Sequence, residues 1–406
     1  MTARELVMDR VAGRVRHFPD LDTRPMPTTG LDARDAALAL AIDQAVTRRW
    51  RTLEAAVEPH LRRPWAGLHP TVRSAMLVGA AQMLLLSRLP DHAVIDAAVE
   101  WTKRCTPPAA GMVNAVLRRV SEMRDSIVDH HEVGRRDEIA LSDGTAWRLH
   151  REIMPAEPAL QLAVQTSLAP ALVERWIALV GFDAARGRAF HTLVMPPIIV
   201  VGVDGRIDPR LEPHEAPGAA VYIGPSGELA EVLAALPGTR VQDPSSAMAV
   251  SITASLKPRC IIDVCAGRGT KTRQLAALHP DARIIATDVD PARHEVLSHV
   301  FEGHPRVQVV PFDQLRSFDA QAELLVLDVP CSNTGVLARR LEARHRFSEK
   351  SLEALLRLQR QIAADTWPLL ADRAVVLYAT CSIDPEENER QAAWLVKHHR
   401  MRLLEE

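Results

Sequence analysis

The chain has 406 residues, 47% hydrophobic and 25% charged, with a formal net charge of −2. These proportions are ordinary for a globular protein and exclude disorder as the default, and the length allows two or three domains, each with its own core. The longest nearly uninterrupted apolar run, "AMLVGAAQMLLL" (75–86), is too short to span a bilayer, and "MTARELVMDRVAGRVRHF" alternates charges where a signal peptide would carry an apolar core. A cytoplasmic, monomeric protein with no membrane contact is expected. Five cysteines (105, 260, 265, 331 and 381) with no C-x-x-C pair point to neither a disulfide framework nor a zinc ribbon, and no metal site is expected.

From residue 32 to 125 the spacing predicts helices throughout. "DARDAALALAIDQAVTRRW" has acidic first-turn residues and then Ala37, Leu38, Ala41, Ile42 and Val46 at steps of three and four. "TVRSAMLVGAAQMLLLSRL" repeats the pattern through Met76, Leu77, Ala80, Leu84 and Leu85 after a Thr71 cap. "DHAVIDAAVEWTKRC" and "AAGMVNAVLRRVSEMR" follow, separated by the breaker "TPPAAG". Residues 1–125 carry 18 Lys+Arg against 14 Asp+Glu, a net +4, which leaves −6 for the remainder. Within them "TRRWR" (47–51) and "LRRPW" (61–65) admit two readings, solvated helix faces with one buried aromatic each, or a footprint for RNA phosphates. "DHAVIDAAVEWTK" (91–103) followed by "GMVNAVLRRV" (111–120) resembles the NusB-type RNA-binding helical domain over about residues 32–122. On that resemblance residues 1–125 form an all-α RNA-binding domain, one found either alone or in front of an RNA methyltransferase.

Residues 126–240 read as a linker and a small α/β subdomain. The charged, histidine-rich stretch "DSIVDHHEVGRRDE" (125–138) is most simply solvated linker, and His130 and His131, being adjacent, point to different sides of a helix or strand. "APALVERWIALVGFDAARGRAF" (169–190) predicts one amphipathic helix, and "PPIIVVGVDG" (196–205) a short strand ending at an Asp-Gly turn.

Residues 241–406 change rhythm. The apolar, β-branched runs "CIIDVC" (260–265), "ARIIATD" (282–288), "VQVVPFD" (307–313), "AELLVLD" (322–328) and "AVVLYAT" (374–380) alternate with helical spans near 292–301 and 348–370. Strands buried on both faces and separated by helices predict a parallel, doubly wound sheet with its ligand site at the strands' carboxyl ends.

Three of these runs end in aspartate, Asp288, Asp313 and Asp328. Each alone could be an ordinary helix cap; together they point to one site. The first strand runs into "DVCAGRGTKT", where Gly267 and Gly269 permit a tight turn ahead of a helix from Thr272. Asp288 lies 21 residues beyond Gly267, the spacing at which a carboxylate accepts from ribose hydroxyls. Thr272 occupies the place of the third glycine of the dinucleotide fingerprint, which disfavours nicotinamide and suits a nucleoside without pyrophosphate, such as S-adenosylmethionine, with Asp313 accepting from the adenine edge.

Two cysteines sit just past apolar runs, Cys331 in "LVLDVPCSNTG" and Cys381 in "VLYATCS". Carbon 5 of cytosine is a poor nucleophile; adding a thiolate at carbon 6 makes an enamine that can take a methyl group at carbon 5, so one cysteine attacks and another group assists release. The attacker needs a positive or hydrogen-bonding environment, for which a helix N-terminus, Lys271, Arg339, Arg340 or Arg344 are candidates. Spacing does not decide which cysteine attacks.

"VQDPSSAMAV" (241–250), "DVCAGRGTKT", "ATDVD", "LDVPCSNTGV" and "LYATCSIDPEENE" (377–389) resemble the motifs of the Sun/Nop family of RNA cytosine-5 methyltransferases. With the helical domain in front, the resemblance runs over nearly the full chain. It implies a multidomain protein: an N-terminal all-α NusB-like bundle, a small α/β middle region and a Rossmann-like S-adenosylmethionine-dependent methyltransferase domain. It further implies Cys381 as the nucleophile, Cys331 as the residue assisting elimination, and Asp328 in contact with both methyl donor and cytosine. Cys265, Ala266, Gly267, Arg268, Gly269, Thr270 and Lys271, with Asp288, Asp313 and Asp328, would hold S-adenosyl-L-methionine, and the partner would be a single-stranded or flipped cytosine of small-subunit ribosomal RNA. The chain departs from the family pattern at "GRGTK", usually A-P-G-G-K, and at "VGV" (201–203), usually R-V-N; it stops at "MRLLEE", where a glycine-aromatic hairpin is expected. The competing expectation is a non-catalytic RNA-binding assembly or antitermination factor with a degenerate cofactor loop.

Overall fold

The computed structural model describes residues 2–22, 24–86, 89–203, 205 and 208–404. The chain divides into two compact units, Met1–Met195 with Val336–Glu349, and Pro196–Gly335 with Lys350–Glu406.

The first unit begins with α1 (Ala3–Val15), whose start is fixed by a capping box: the Thr2 hydroxyl accepts from the Glu5 amide at 3.3 Å, and the Glu5 carboxylate accepts from the Thr2 amide at 2.8 Å. Helices α2 (Ala33–Val57), α3 (Pro70–Leu85), α4 (Asp91–Cys105) and α5 (Ala110–Glu122) complete the expected bundle. Every residue of α3 from Ser74 to Leu84 is buried, which is the signature of a helix at the centre of a bundle and not on its surface. Gly79 is the point of closest approach, since a Cβ there would stand 2.7 Å from the Leu117 side chain of α5.

The stretch expected to be linker instead folds into a three-stranded antiparallel sheet, β1 (Arg124–Val128), β2 (Glu138–Ala140) and β3 (Ala146–Leu149), in the order β1-β3-β2. Its charge pattern misleads because part of the charge is internal: Glu138 is fully buried and its Oε1 lies 2.6 Å from Arg148. Helices α6 (Pro158–Thr166), α7 (Pro170–Val180) and α8 (Phe182–His191) follow; the single helix expected over 169–190 is broken at Gly181, whose φ of 79° takes the chain out of helical geometry.

The second unit opens with β4 (Ile198–Val201), β5 (Leu211–Pro213), β6 (Ala219–Tyr222), α9 (Leu229–Ala235) and β7 (Arg240–Val241), a four-stranded antiparallel sheet in the order β5-β6-β4-β7. Asp204 of the expected Asp-Gly turn lies outside the described residues, as do the last two residues of "MRLLEE". After α10 (Pro244–Ser251) come β8 (Cys260–Asp263), α11 (Thr270–Leu278), β9 (Arg283–Ala286), α12 (Pro291–Val300), β10 (Val307–Val309) and β11 (Ala322–Asp328). The chain then passes through α13 (Ala343–Arg346), which belongs to the first unit, before α14 (Glu349–Thr366), β12 (Leu370–Ala379) and α15 (Glu389–His399). Strands β8 to β12 form one sheet, parallel throughout, in the order β10-β9-β8-β11-β12. The chain reverses direction across the sheet between β8 and β11, and the carboxyl ends at such a reversal are where open α/β sheets bind ligands.

The returning segment Val336–Glu349 puts a charged side chain into the interior of the first unit. Arg344 is fully buried and donates to the carbonyls of Thr166 and, at 2.8 Å, of Thr192. Arg48 donates to the carbonyls of Thr192 and Val194, and Arg49 to those of Ala140 and Gln165. These arginines cap the carboxyl ends of α6 and α8, where unpaired carbonyls collect partial negative charge. Neither Arg48 nor Arg49 is on a solvated face or exposed to a phosphate, whereas Arg62 and Arg63 of the second cluster are exposed and Trp65 beside them is buried. Replacing Arg344 by alanine leaves the carbonyls of Thr166 and Thr192 without their donor, and urea denaturation should show a loss of about 3 kcal/mol; an unchanged midpoint would refute this account of the segment.

Candidate active site

The loop after β8 turns on two glycines with opposite requirements. Gly269 has φ 84°, and a Cβ there would stand 2.6 Å from the Phe301 ring, so the loop lies flat against α12 only because the side chain is absent. Gly267 has φ 60° with nothing within 4 Å of its Cβ position, so that side of the turn faces open space. The helix α11 begins at Thr270, two residues before the expected start. The loop is tied to the end of β9 by Asp288, whose Oδ2 accepts from the Gly267 amide and whose Oδ1 accepts from the Asp290 amide, each at 2.9 Å. Ala266 is buried, its amide donating to the Thr287 carbonyl at 2.9 Å, and burial pushes the Cys265 thiol up. Arg268 and Thr270 are exposed.

Lys271, the first-turn lysine of α11, reaches across to the end of β11, where Nζ lies 2.6 Å from Asp328 Oδ2. The lysine offered by sequence as a partner for a thiolate is thus paired with the carboxylate three residues before Cys331. Arg344 serves the interior of the first unit, and Arg339 and Arg340 belong to that unit too. Asp313 does not terminate a strand: β10 ends at Val309, and Asp313 is an exposed residue of the 3₁₀ turn Phe312–Phe318.

The two cysteines converge. Parallel pairing of β11 with β12 sets Asp328 opposite Ala379, so the chain leaves both strands side by side. Cys331 Sγ and Cys381 Sγ are 3.1 Å apart, although fifty positions separate them in sequence. The Cys381 amide donates to Cys331 Sγ at 3.3 Å, and Cys381 Sγ donates to Asn333 Oδ1 at 3.2 Å. Asn333 holds its own turn at φ 63° while its amide donates to the Cys331 carbonyl at 2.8 Å. The Gly335 amide closes the loop by donating to the Cys381 carbonyl at 3.0 Å, and a Cβ at 335 would stand 2.9 Å from that oxygen. The hydrogen bond to Cys381, then burial, push the Cys331 thiol up, so this sulfur keeps its proton at neutral pH; Cys381 is the more exposed of the pair.

Two fully buried carboxylates support the cysteine turns, and sequence reasoning passed over both. Glu387 accepts from the Ser332 amide at 3.0 Å, from the Ser332 hydroxyl, and from Gln359 Nε2 at 2.9 Å; Gln359 Nε2 also donates to the Pro330 carbonyl at 3.0 Å. Asp384 accepts from the Thr334 hydroxyl at 2.6 Å, and Thr334 in turn accepts from the Ile383 amide at 3.2 Å. Buried anions satisfied by backbone amides and hydroxyls hold geometry tightly. Their signal in sequence is the motif "LYATCSIDPEENE", on which the resemblance gives a role to Cys381 and none to the two carboxylates.

A third buried acid lies under the glycine loop. Asp263, the last residue of β8, is fully buried; Oδ2 accepts from the Thr272 hydroxyl at 2.7 Å, and Oδ1 has no partner among the described residues. Burial pushes its carboxyl up to about 7, the Thr272 hydrogen bond opposing and Asp328 reinforcing the shift.

A five-stranded parallel sheet in this order, with a glycine turn after its first strand and polar groups gathered at the carboxyl ends, defines a Rossmann-like methyltransferase domain. The chain is similar over most of its length to ribosomal RNA small subunit methyltransferase B of Yersinia pseudotuberculosis serotype O:1b, 29% identical over 390 residues that span 92% of this chain and 84% of the relative. The protein of the same name from Cronobacter sakazakii is 28% identical, spanning 88% of this chain and 81% of its own. The crystal structure of PH0851 shares the fold at a TM-score of 0.70 and 19% identity, covering 98% of this chain and 90% of that one. Residues 253–406 match the 16S rRNA methyltransferase RsmB/F family and residues 3–122 the NusB family. The last third and more of the chain is thus similar to the RsmB/F methyltransferases, and its helical N-terminal region to the NusB family. The NusB match begins at residue 3, taking in α1, which the helical spacing from residue 32 onward leaves out.

Asp263 makes stability pH-dependent. Its folded carboxyl titrates near 7 against 3.8 for the ordinary group, so its favourable contribution is complete below about pH 4 and is lost as pH rises through 7. Urea midpoints at pH 4.5 and 7.5 should fall more for the native chain than for Asp263→Asn; equal falls would show that Asp263 is not the group responsible.

Proposed function

We propose that this protein is an S-adenosylmethionine-dependent ribosomal RNA methyltransferase that modifies carbon 5 of a cytosine in small-subunit RNA through a covalent adduct. The observation that carries this reading is the convergence of two thiols at 3.1 Å beside the Lys271–Asp328 pair, at the carboxyl edge of a methyltransferase sheet. The family of residues 253–406 and the names of the curated relatives favour ribosomal RNA as substrate.

The residues around the glycine turn fit the methyl donor. Gly267 leaves open the space that a Cβ would fill, and the turn is bordered by the carboxylate of Asp288 and the ammonium of Lys271. Residues Cys265 to Lys271 with Asp288, Asp313 and Asp328 would hold S-adenosylmethionine, which supplies an electrophilic methyl group when bound.

Cys381, the more exposed sulfur, attacks carbon 6 of the cytosine; its thiol is oriented by donating to Asn333 Oδ1, and once it ionises the neighbouring Cys331 thiol is the donor that helps to stabilise the thiolate. Asp328 accepts from the amino edge of the base, with Lys271 orienting it. Water takes the proton from carbon 5 as the carbon 6–sulfur bond breaks, Cys331 gives its retained proton to the departing Cys381 sulfur and is reprotonated from solvent, and the aromatic ring is restored. Attack on the ring face requires a cytosine that is unstacked, either flipped or single-stranded. Glu387 acts through Ser332 and Gln359 as a positioning residue that keeps the Cys331 sulfur on Cys381.

Incubation with ribosomal RNA and the methyl donor, followed by denaturing electrophoresis and bisulfite sequencing, tests the division of labour. Cys381→Ala should abolish both methylation and adduct; Cys331→Ala should accumulate a denaturation-resistant protein–RNA adduct. Glu387→Gln should give the same adduct at a lower level, with affinity for the methyl donor unchanged. Normal turnover by Cys331→Ala would overturn the assignment.

A further inference from the structure

A cavity of about 370 Å³ in the second unit borders the glycine turn at Arg268, Gly269 and Thr270, but Arg240 and Arg273 on its wall have no place in the chemistry above. Its polar lining comes from Thr239 and Arg240 of the β7 region and from Arg268, Thr270 and Arg273 of the loop and first turns of α11. No acidic residue lines it, and none of Lys271, Asp288 or Asp328 does. Three arginines therefore line one concavity. Arg240 Nε donates at 2.5 Å to the amide oxygen of Gln242, a neutral group. Arg268 and Arg273 are exposed and form no ion pair among the described residues. The clustering carries a cost within the fold: burial, and after it the positive charge of Arg273, hold the Arg240 guanidinium below its usual range.

Like charges brought together without a counter-ion are relieved by an anion, and planar forked donors suit the oxygens of a phosphate. We propose that Arg240, Arg268 and Arg273 form a phosphodiester-binding subsite that grips the backbone of the substrate RNA beside the glycine turn. This inference rests on the RNA reading above and adds to it a definite point of backbone contact. Thr270 and the amide groups that open α11 add donors on the same wall. Held there, the strand is fixed in register by its backbone, while recognition of the base is left to the cysteine site.

The test is fluorescence anisotropy with a fluorescein-labelled single-stranded RNA containing one cytosine, titrated across a potassium chloride series. Arg240→Ala and Arg273→Ala should each weaken binding about three- to tenfold at low salt, and should reduce the slope of log affinity against log salt by about one. Arg273→Lys, which keeps the charge, should retain the slope and serves as the control if an alanine variant is poorly folded. Unchanged affinity and slope in both alanine variants would overturn the subsite. Loss of affinity for S-adenosylmethionine by calorimetry, with RNA binding intact, would also overturn it and assign the arginines to the cofactor's carboxylate. Absence of any salt-sensitive RNA binding by the native chain would instead strike the RNA reading on which the subsite depends.

Discussion

Parallel pairing of β11 with β12 is the constraint on which the candidate site depends. The register places Asp328 opposite Ala379, and from there the two chains can travel only a few residues before their turns must meet. A shift of one residue would turn every side chain of β12 to the other face of the sheet and carry Cys381 away from Cys331. The pairing is held by the strands' own burial, since Leu324, Leu325, Val326 and Leu327 are almost completely excluded from solvent. Hydrophobic patterning in the sheet thus fixes the distance between two sulfur atoms, a quantity relevant only to chemistry.

What the sheet brings together, buried anions keep in place. Glu387 and Asp384 give up hydration for hydrogen bonds from the Ser332 amide, the Gln359 side chain and the hydroxyls of Ser332 and Thr334, so the P-C-S turn is gripped from below by charge-assisted contacts. Asp288 does the same for the glycine turn, and Lys271 spans the gap between that turn and the end of β11. Asp263, with one oxygen unpartnered among the described residues, is the exception, and its raised carboxyl is the physical consequence of burial without a cation in contact. The glycine turn and the P-C-S turn are therefore each restrained by carboxylates from another element.

The first unit treats positive charge in the same way. Arg48, Arg49 and Arg344 are buried against backbone carbonyls at helix ends, and Arg14 pairs with Asp43 at 2.8 Å beneath α1. A basic cluster in a helix is usually assigned to the surface, yet here most of the guanidinium groups in "TRRWR" are structural. The returning segment Val336–Glu349 leaves the second unit directly after Gly335, the glycine that closes the cysteine turn.

Sequence alone determined the helical class of residues 32–122 and the parallel α/β class of the last third, and it singled out the residues proposed for the site. The period of three to four in residues 32–125, the β-branched runs of the last third, and the cysteines and aspartates placed after those runs follow from local chemistry, and the structure keeps that order of elements. Tertiary structure decided which of these residues meet. It brought Cys331 to Cys381 and Lys271 to Asp328, left Asp313 exposed, sent Arg344 into another unit, and turned a charged stretch into a sheet around the buried Glu138–Arg148 pair. The reason is physical: patterning reports whether a residue gains by leaving water, whereas a buried charge gains nothing until its partner arrives, and the partner comes from a distant part of the chain.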